Sequence, residues 1–345
     1  MPPAPIPLTR SAFPVLVLIA LAFSAARCSG TGPVASSSVP PFAVEDTVAW
    51  RTDGVRIGTF NGEFLFDGEG DEGEATFDWK GDPDKSRAHR AAVARSVRKL
   101  DVDVLLMPES ENLTALQRMV DESLADLGYT PYLVDGQDTF TGQDVGLLSR
   151  LPIAETGRTD ERVPVGVSDR TYGVSKNLWA RLDLRLGDDV VPVTIIGVHF
   201  LARPDDVERR DRREAQAEAI RRLAEAESAA GRQLIVLGDV NDFDGTIPDR
   251  RGSTPITTVL ETLKAVGPGD ADDLVNVLGD VPQAERYTAL YDRNGNGAID
   301  EGELSAIDHV LLSPALYERV REVRVAPVHD PRRVSDHFPI VVTLN

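Results

Sequence analysis

The sequence predicts an α/β fold in which two mixed β-sheets pack face to face and helices cover their outer faces. Strand patterns alternate with amphipathic helix patterns in both halves of the chain, and short turns between neighbouring strands favour antiparallel hairpins. The chain has 345 residues and is 41% hydrophobic, which is sufficient to bury a large core. No internal repeat is visible, so the chain suits one large α/β domain or two smaller ones.

The first residues have the pattern of a targeting segment followed by a linker. Arg10 precedes an apolar run, Phe13–Ala26, that is too short to span a membrane comfortably and ends in small residues suited to signal-peptidase cleavage. We expect residues 1–28 to be a signal peptide, 29–43 a Gly/Ser/Pro linker, and 44–345 the folded domain. This organisation predicts a secreted, periplasmic or cell-surface protein.

The chain contains one cysteine, Cys28, directly after the apolar run. A bacterial lipoprotein places its acylated cysteine there, but Arg27 stands where that motif requires a small residue, so the sequence disfavours lipidation. A lone cysteine also excludes an intramolecular disulfide, so the exported domain must depend on its core and on metals.

Strand and helix patterns alternate in the first half of the domain. Short apolar runs predict strands, and apolar residues at helical spacing predict helices. Gly128 is suited to end the second of these helices. The predicted strands are Val55–Phe60, Val102–Met107, Val145–Leu148 and Ile153–Thr156, and the predicted helices are Ser86–Leu100 and Leu113–Leu127.

The second half of the domain repeats this alternation around a long helix at Pro204–Ala230, which has a proline at its start and Gly231 at its end. A region without clear periodicity, Phe243–Tyr291, follows the strand at Leu234–Leu237 and contains one short helix near Thr257–Ala265. The other predicted strands are Leu178–Leu186, Val190–Phe200, Ile307–Leu312, Val320–Val328 and Phe338–Leu344.

The chain is strongly acidic, with a formal net charge of −19 from 56 acidic and 37 basic residues. This charge argues against a generally basic nucleic-acid wrapper and against adhesion to anionic membranes. An acidic protein that binds phosphates needs metal ions or locally clustered basic residues. Arg150, Arg170 and Lys176 are candidates to line a phosphate-backbone groove, although the same residues also suit ordinary loop positions.

Polar residues able to support catalysis lie at the ends of several predicted strands. Taken singly, each fits a turn, a helix cap or a core histidine. Together they predict one site, because a fold seldom directs so many convergent polar groups to one edge without use. The residues are Asn61, Glu109, His199, Asp239, Asn241, Asp308, Asp336 and His337.

The residue types indicate metal-assisted hydrolysis. Carboxylates and amides are hard oxygen ligands suited to Mg²⁺, Mn²⁺ or Ca²⁺, and histidines can transfer protons. The sequence has no G-x-S-x-G nucleophile elbow, no Walker loop and no dinucleotide fingerprint after a strand, which disfavours covalent catalysis. These features predict phosphoester hydrolysis by metal-activated water.

Seven motifs in order resemble those of the endonuclease/exonuclease/phosphatase superfamily, the deoxyribonuclease I-like proteins. The resemblance extends from about Val55 to the C-terminus and implies a four-layer α/β sandwich of two related halves. The motifs are Thr59–Asn61, Leu106–Glu109, Gly146–Ile153, Gly197–Phe200, Gly238–Asp242, Ile307–Ser313 and Ser335–Pro339.

The resemblance also implies roles on the metal side of the site. Glu109 would be the principal ligand of Mg²⁺ or Mn²⁺, with Asn61 beside it and Asp336 close to the metal. Asp239 would orient or deprotonate the attacking water, and Asn241 would hold a phosphate oxygen.

The histidine roles implied by the resemblance are less specific. His337, paired with Asp308, would stabilise the transition state or act as base, and His199 would serve as general acid or phosphate contact. Which histidine is the acid stays open. The sequence departs mildly from the superfamily pattern, with Pro108 where a glutamine usually precedes the glutamate.

Residues 292–303 match the twelve-residue calcium-loop template, with oxygen ligands at alternate positions, glycine at the sixth and glutamate at the twelfth. The alternative is an Asn/Gly-rich turn, because the preceding Arg286–Tyr291 has a strand pattern instead of the usual helix. We expect a structural Ca²⁺ here. Its ligand positions are Asp292, Asn294, Asn296, Ala298, Asp300 and Glu303.

Three functions follow from this pattern. The first is a secreted, divalent-metal-dependent phosphodiesterase, specifically a nuclease hydrolysing DNA or RNA. The second is a phospholipid or inositol-phosphate phosphodiesterase or phosphatase of the same superfamily. The third is a non-catalytic, calcium-stabilised binding module. We expect a monomer whose mature domain does not insert stably into membranes.

Overall fold

The computed structural model describes residues 53–267 and 269–345. The predicted signal peptide, the linker and Cys28 therefore lie outside the described residues. Within the described part of the chain, we find no helix long and apolar enough to cross a membrane.

The first half of the domain contains the predicted strands and helices with small changes in their bounds. Asp82 caps the first helix by accepting a hydrogen bond from the Lys85 backbone, and Pro83 occupies its first turn. The helix predicted at 113–127 is α-helical to Met119 and continues in π and 3₁₀ turns to Leu127. In chain order the elements are β1 (Val55–Thr59), α1 (Pro83–Leu100), β2 (Val104–Ser110), α2 (Leu113–Met119), β3 (Thr130–Leu133), β4 (Asp144–Ser149), β5 (Glu155–Gly157), β6 (Arg162–Pro164), β7 (Thr171–Gly173), β8 (Lys176–Leu186) and β9 (Asp189–His199).

The second half is built around one long helix, as predicted. Asp206 caps this helix by accepting a hydrogen bond from the Glu208 backbone, so the helix begins at Val207 and not at Pro204. The strands predicted at 320–328 and 338–344 are shorter than expected. The elements are α3 (Val207–Ala229), β10 (Gln233–Asp239), α4 (Val259–Lys264), β11 (Val275–Asn276), β12 (Ala289–Leu290), β13 (Leu304–Ser305), β14 (Asp308–Leu312), α5 (Pro314–Tyr317), β15 (Val320–Val325) and β16 (Ile340–Leu344).

Two mixed six-stranded sheets form the centre of the domain, which confirms the predicted fold class. The first sheet has the order β15-β16-β1-β2-β4-β3, and the second has the order β11-β14-β10-β9-β8-β5. Strands β1 and β2 are parallel, as are β9 and β10, and most other neighbours are antiparallel. Each sheet therefore combines a βα-type parallel pair with hairpin-like pairs.

Alternating residues on each strand form the layers of the sandwich. Leu106 faces the other sheet and packs in a cluster with Leu237. Its neighbour Leu105 faces outward and packs with Val93 of α1. Helix α3 packs Ile220 and several alanines against the outer face of the second sheet. The order helix, sheet, sheet, helix is the predicted four-layer sandwich.

Gly238 allows β10 to lie close to β9 just before the polar end of the strand. Its φ is +133°, and a Cβ at this position would lie 2.1 Å from the carbonyl oxygen of Val198. Any side chain here would separate the two strands, so glycine is required for the placement of Asp239 beside His199.

A buried ion pair joins α3 to the end of β10. Asp242 and Arg213 are both fully buried, and Arg213 Nε donates to Asp242 Oδ2 at 3.1 Å. Thr257 Oγ1 donates to the same oxygen at 2.7 Å. Asp242 therefore anchors the helix and the following loop.

Candidate active site

Strand direction brings polar residues from both sheets to one edge of the molecule. Residues following parallel strands β1 and β2, or β9 and β10, lie at their shared carboxyl ends, and the antiparallel β14 and β16 begin at this edge. A hydrogen bond from Asn61 Nδ2 to Asp239 Oδ2 (3.2 Å) shows that the two sheets meet here. The edge gathers the predicted residues Asn61, Glu109, His199, Asp239, Asn241, Asp308, Asp336 and His337.

Asp239 lies at the centre of this arrangement and is almost fully buried. Its Oδ1 accepts a hydrogen bond from the backbone of Asn241 at 3.0 Å. Its Oδ2 lies 3.7 Å from the Nε2 atoms of both His199 and His337. Burial, followed by the charge of Asp308, raises the pKa of Asp239, so this carboxylate is well suited to accept a proton.

His337 forms a short hydrogen bond with Asp308, with Nδ1 and Oδ2 separated by 2.7 Å. Thr288 Oγ1 accepts the backbone N–H of Asp308, and Ser335 Oγ accepts that of His337, so both residues are held in place. Burial alone would lower the pKa of His337, but the carboxylates of Asp308 and Asp239 raise it well above its usual value. His337 is therefore protonated at neutral pH.

His199 is equally buried but lacks a carboxylate partner of this kind. Its Nδ1 has no hydrogen-bond partner, and its Nε2 lies 3.8 Å from Glu109 Oε1. Burial, and then the positive charges of Lys176 and His337, lower the pKa of His199 well below its usual value. His199 is therefore neutral and keeps a free lone pair for a proton or a cation.

Glu109 is held by two donors from the loop that follows β1. Asn61 Nδ2 donates to Glu109 Oε1 and the Phe64 backbone donates to Oε2, both at 3.1 Å. Burial raises the pKa of Glu109, while Lys176 and His337 act in the opposite direction. These contacts fix the direction of the carboxylate toward the space beside His199.

Several residues here have the left-handed backbone conformation, which is unfavourable for side chains other than glycine. Their φ values are 53° at Glu63, 55° at Phe64, 60° at Glu109 and 51° at Asn241. Such strained residues concentrate where a site requires a particular side-chain direction. The Asn241 side chain is held in turn by donating to the carbonyl oxygen of Phe200.

The residues present fit a divalent cation. Glu109, His199 and Asp239 each place a ligand atom within 4.8 Å of the others. The separations of 3.7 and 3.8 Å from His199 Nε2 to the carboxylates are too long for direct hydrogen bonds. The two carboxylates are hard oxygen ligands of the kind that suits Mg²⁺ or Mn²⁺.

The structure separates the predicted basic residues. Lys176 lies beside His199 at the start of β8 and pairs with Asp138 at 2.9 Å. Arg170 is exposed in the turn between β6 and β7. Arg150 follows β4, which is antiparallel to β2, so it lies at the opposite end of the sheet and pairs with Asp101. The predicted substrate contact at Arg150 is therefore not supported.

Asp336 is the most exposed member of the predicted site, with 48% of its side chain accessible. Its Oδ1 lies 3.8 Å from His337 Nε2, and its backbone donates to Glu63 Oε2. Sequence reasoning missed Glu63. Burial and the charges of Asp336 and Glu109 raise the pKa of Glu63 to about 7. Its position two residues after Asn61, at the same strand end, was the available signal.

Sequence reasoning also missed a groove of about 750 Å³ that adjoins Glu63 and Asp336. Its walls combine aromatic and basic side chains with part of the predicted calcium loop. The dibasic pair Arg332-Arg333, one residue upstream of the Ser-Asp-His motif, was a usable signal. The lining includes Trp79, Lys85, Tyr291, Asp292, Arg332 and Arg333.

The predicted calcium loop connects β12 and β13, so strands flank it where the usual loop has helices. Asp292 accepts backbone hydrogen bonds from Gly295 and Gly297, and the amides of Asn294 and Asn296 both donate to Asp300. Glu303 is buried, and its Oε2 has no hydrogen-bond partner. Ala298 has no side-chain oxygen, and its backbone N–H donates to Asn296 Oδ1.

Comparison with known proteins identifies one family. The family model described as Endonuclease/Exonuclease/phosphatase family matches residues 58–337. A search of curated proteins gave no match.

Solved structures show the same fold. The 3′ phosphatase NExo from Neisseria, bound to product DNA hairpin, has a TM-score of 0.55 at 17% identity and covers 84% of this chain and 99% of its own. The Xenopus laevis APE2 catalytic domain has a TM-score of 0.57 at 18% identity, with coverages of 84% and 91%. An AP endonuclease from Archaeoglobus fulgidus gives 0.55 at 16% identity, with coverages of 84% and 99%.

The family match spans most of the chain, and the carboxylates and histidines converge at the carboxyl ends of the central strands. The chain therefore belongs to the Endonuclease/Exonuclease/phosphatase family and is a metal-dependent phosphoester hydrolase.

Proposed function

We propose that the protein is a secreted, divalent-metal-dependent nuclease that hydrolyses phosphodiester bonds of DNA or RNA. The observation that carries this proposal is that two histidines flank one buried aspartate, with Asp308 bound to Nδ1 of His337 and no partner at Nδ1 of His199. A protonated donor, a neutral acceptor and a carboxylate of raised pKa together suit attack by water and departure of an alcohol.

In this proposal, Mg²⁺ or Mn²⁺ is held chiefly by Glu109, with Asn61, His199 and Asp336 around it. The cation supplies Lewis acidity, which neutralises charge on the phosphate. Asn61 orients the Glu109 carboxylate through its amide, and the left-handed backbone at Glu109 directs the side chain to this position.

The remaining groups move protons. Asp239 orients water for attack on phosphorus and receives its proton as the new P–O bond forms. His337 donates its Nε2 proton to the departing oxygen as the old P–O bond breaks. Asp308 keeps His337 protonated and fixes its ring through Nδ1. Asn241 has a second amide hydrogen available for a phosphate oxygen.

The groove beside the site supports a nucleic-acid substrate. Lys85, Arg332 and Arg333 are at least about half exposed, and they pair at the surface with Asp82 and Asp330. Exposed ion pairs of this kind are weak, so these groups can exchange them for phosphates of the backbone. Trp79 and Tyr291 offer rings on which bases can stack. This local set of basic residues supplies the help that a protein of net charge −19 needs to bind a polyanion.

We also propose a structural Ca²⁺ in the loop at residues 292–303. The unpartnered buried oxygen of Glu303 supports this assignment. Asp292 and Gly297 line the groove, and Arg332 donates to the carbonyl oxygen of Gly297, so the ion would stiffen one groove wall. We expect Ca²⁺ to raise the melting temperature of the wild type by more than that of Asp292→Asn, in a thermal melt after chelation.

Secretion is supported by the apolar run at Phe13–Ala26 and the small residues that end it. N-terminal sequencing of the protein recovered from culture medium should give a start close to residue 29. Recovery of the intact N-terminus from the cell interior would contradict secretion without affecting the catalytic proposal.

Side-by-side hydrolysis assays test the substrate. Purified protein with Mg²⁺ or Mn²⁺ should cleave plasmid DNA or RNA, and EDTA or Asp239→Asn should abolish cleavage. Sphingomyelin and inositol phosphates should remain intact. Activity on the lipid or inositol phosphate alone would contradict the nuclease assignment, and full activity of Asp239→Asn would contradict the mechanism.

A further inference from the structure

A second group of acidic side chains lies next to the active site but has no part in the proposed reaction. We name Asp67, Asp71 and Glu111 the loop carboxylate cluster. Each contributes one oxygen, and these atoms all lie within 4.8 Å of one another. Glu111 directly follows Ser110, the last residue of β2, and the other two residues belong to the loop between β1 and α1.

One oxygen in the loop carboxylate cluster lacks a hydrogen-bond partner. Glu111 is completely buried, and its Oε2 accepts the backbone N–H of Asp67 at 2.7 Å, while its Oε1 has no partner. The carboxyl groups of Asp67 and Glu111 also lie at hydrogen-bond distance from each other. Such an arrangement is unfavourable unless a cation or a shared proton satisfies it.

The nearest basic side chains are engaged elsewhere. Arg118 and Arg90 both donate to the backbone carbonyl oxygen of Asp67, and their Nη2 atoms reach carboxylates outside the cluster. Asn112 donates to Asp67 Oδ2 at 3.2 Å, which satisfies one carboxylate oxygen. These contacts hold the loop in place but leave Glu111 Oε1 without a donor.

We propose that the loop carboxylate cluster binds a divalent cation of the calcium class, separate from the active-site metal and from residues 292–303. All three side chains are hard oxygen donors, and Ca²⁺ accepts such ligands in flexible geometry with waters completing its shell. Asp71 is exposed, so water can reach the ion from that side.

The position of this cation gives it a structural role beside the active site. The backbone of Leu65 donates to the Glu109 carbonyl and accepts from the Glu111 backbone, so the three residues are joined by two hydrogen bonds. The adjacent Phe64 backbone donates to the Glu109 carboxylate. A cation at the cluster therefore fixes the segment that positions Glu109.

Calcium titration of the chelator-stripped full chain tests the proposal. Glu109→Gln and Glu303→Gln together provide a background from which the other two cation sites are removed. Isothermal titration of this background should show one remaining Ca²⁺ site. Adding Glu111→Gln or Asp71→Asn should weaken that site about tenfold or more. Adding Glu74→Gln, an exposed acid of the same loop, should leave it unchanged.

Thermal melts provide a second readout that does not depend on activity. Ca²⁺ should raise the melting temperature of the background protein and of its Glu74→Gln derivative, but not of its Asp71→Asn derivative. Because Asp71 is exposed, this variant should fold normally in the absence of Ca²⁺. Equal calcium affinity and equal stabilisation in all three proteins would overturn the proposal, as would a background that binds no Ca²⁺.

Discussion

His337 and His199 approach the same oxygen of Asp239 from different sheets, and their surroundings give them opposite charges. Their Nε2 atoms are both 3.7 Å from Asp239 Oδ2, and their side chains are 9% and 7% exposed. The difference is the partner of Nδ1, which is Asp308 at 2.7 Å for His337 and absent for His199. At equal burial, the carboxylate of Asp308 beside His337 and the positive charge of Lys176 beside His199 give the two imidazoles pKa values shifted in opposite directions.

The largest effect should come from removing that carboxylate. Asp308→Asn should lower kcat/KM about 10³-fold, because loss of the Asp308 charge and hydrogen bond lowers the pKa of His337 and frees its ring to turn. The NMR titration of His337 should move to lower pH in the same variant. Asp280→Asn, on an exposed turn, should stay within about twofold of the wild type. If the pKa of His337 stays raised in Asp308→Asn, Asp308 is not the cause of the difference between the two histidines.

His199→Gln should have a smaller effect, of about 10²-fold on kcat/KM, and of a different kind. Because His199 is neutral and faces Glu109, its loss should raise the Mg²⁺ concentration for half-maximal rate about tenfold. His337→Gln should leave this concentration unchanged. Metal titrations of the two variants therefore separate the metal-facing role of His199 from the proton-donating role of His337. Identical Mg²⁺ dependence in both variants would contradict this separation.

Substrate contacts should depend on the groove and not on the far end of the sheet. Replacing Arg332 and Arg333 by glutamine should raise KM for DNA about fivefold and reduce the salt dependence of kcat/KM. Arg150→Gln serves as the matched control, because Arg150 pairs with Asp101 away from the site. An equal rise in KM for Arg150→Gln would contradict this placement.

The two histidines should also give opposite pH dependences of stability. The folded pKa of His337 is raised, so its stabilisation is present below the unfolded pKa of about 6.5 and is lost as pH rises through the folded pKa. The folded pKa of His199 is lowered. The stabilisation that His199 contributes is therefore present above a pH of about 6.5 and is lost as pH falls through the folded pKa. Denaturant unfolding in EDTA should show His337→Gln most destabilising at low pH and His199→Gln at high pH. The same trend in both variants would count against this assignment.

The sequence was sufficient to predict where the polar residues lie. Asp239 and Glu109 follow apolar runs, and parallel strands direct such residues to one edge, so a local pattern predicts the convergence. The helix predicted to begin at Pro204 begins at Val207 because Asp206 caps it. Pattern and periodicity therefore predict the layers and the edge of the sandwich.

Strand direction and tertiary contacts could not be predicted from local pattern. Arg150 and Lys176 were both predicted to line one groove, but β4 is antiparallel to β2 and carries Arg150 to the other end of the sheet. Glu63 lies in the site because of a left-handed turn that no periodicity marks. The unpartnered oxygen of Glu111 likewise depends on how the loop folds back onto β2.

The most direct test of the proposed mechanism asks whether His337 protonates the departing oxygen. The kcat/KM of the wild type and of His337→Gln can be compared on a thymidine dinucleotide and on thymidine 5′-(p-nitrophenyl phosphate), whose leaving group needs no proton. We expect a loss of about 10³-fold or more on the dinucleotide and of less than about tenfold on the nitrophenyl ester. Equal losses on the two substrates would contradict the assignment of His337 as the general acid.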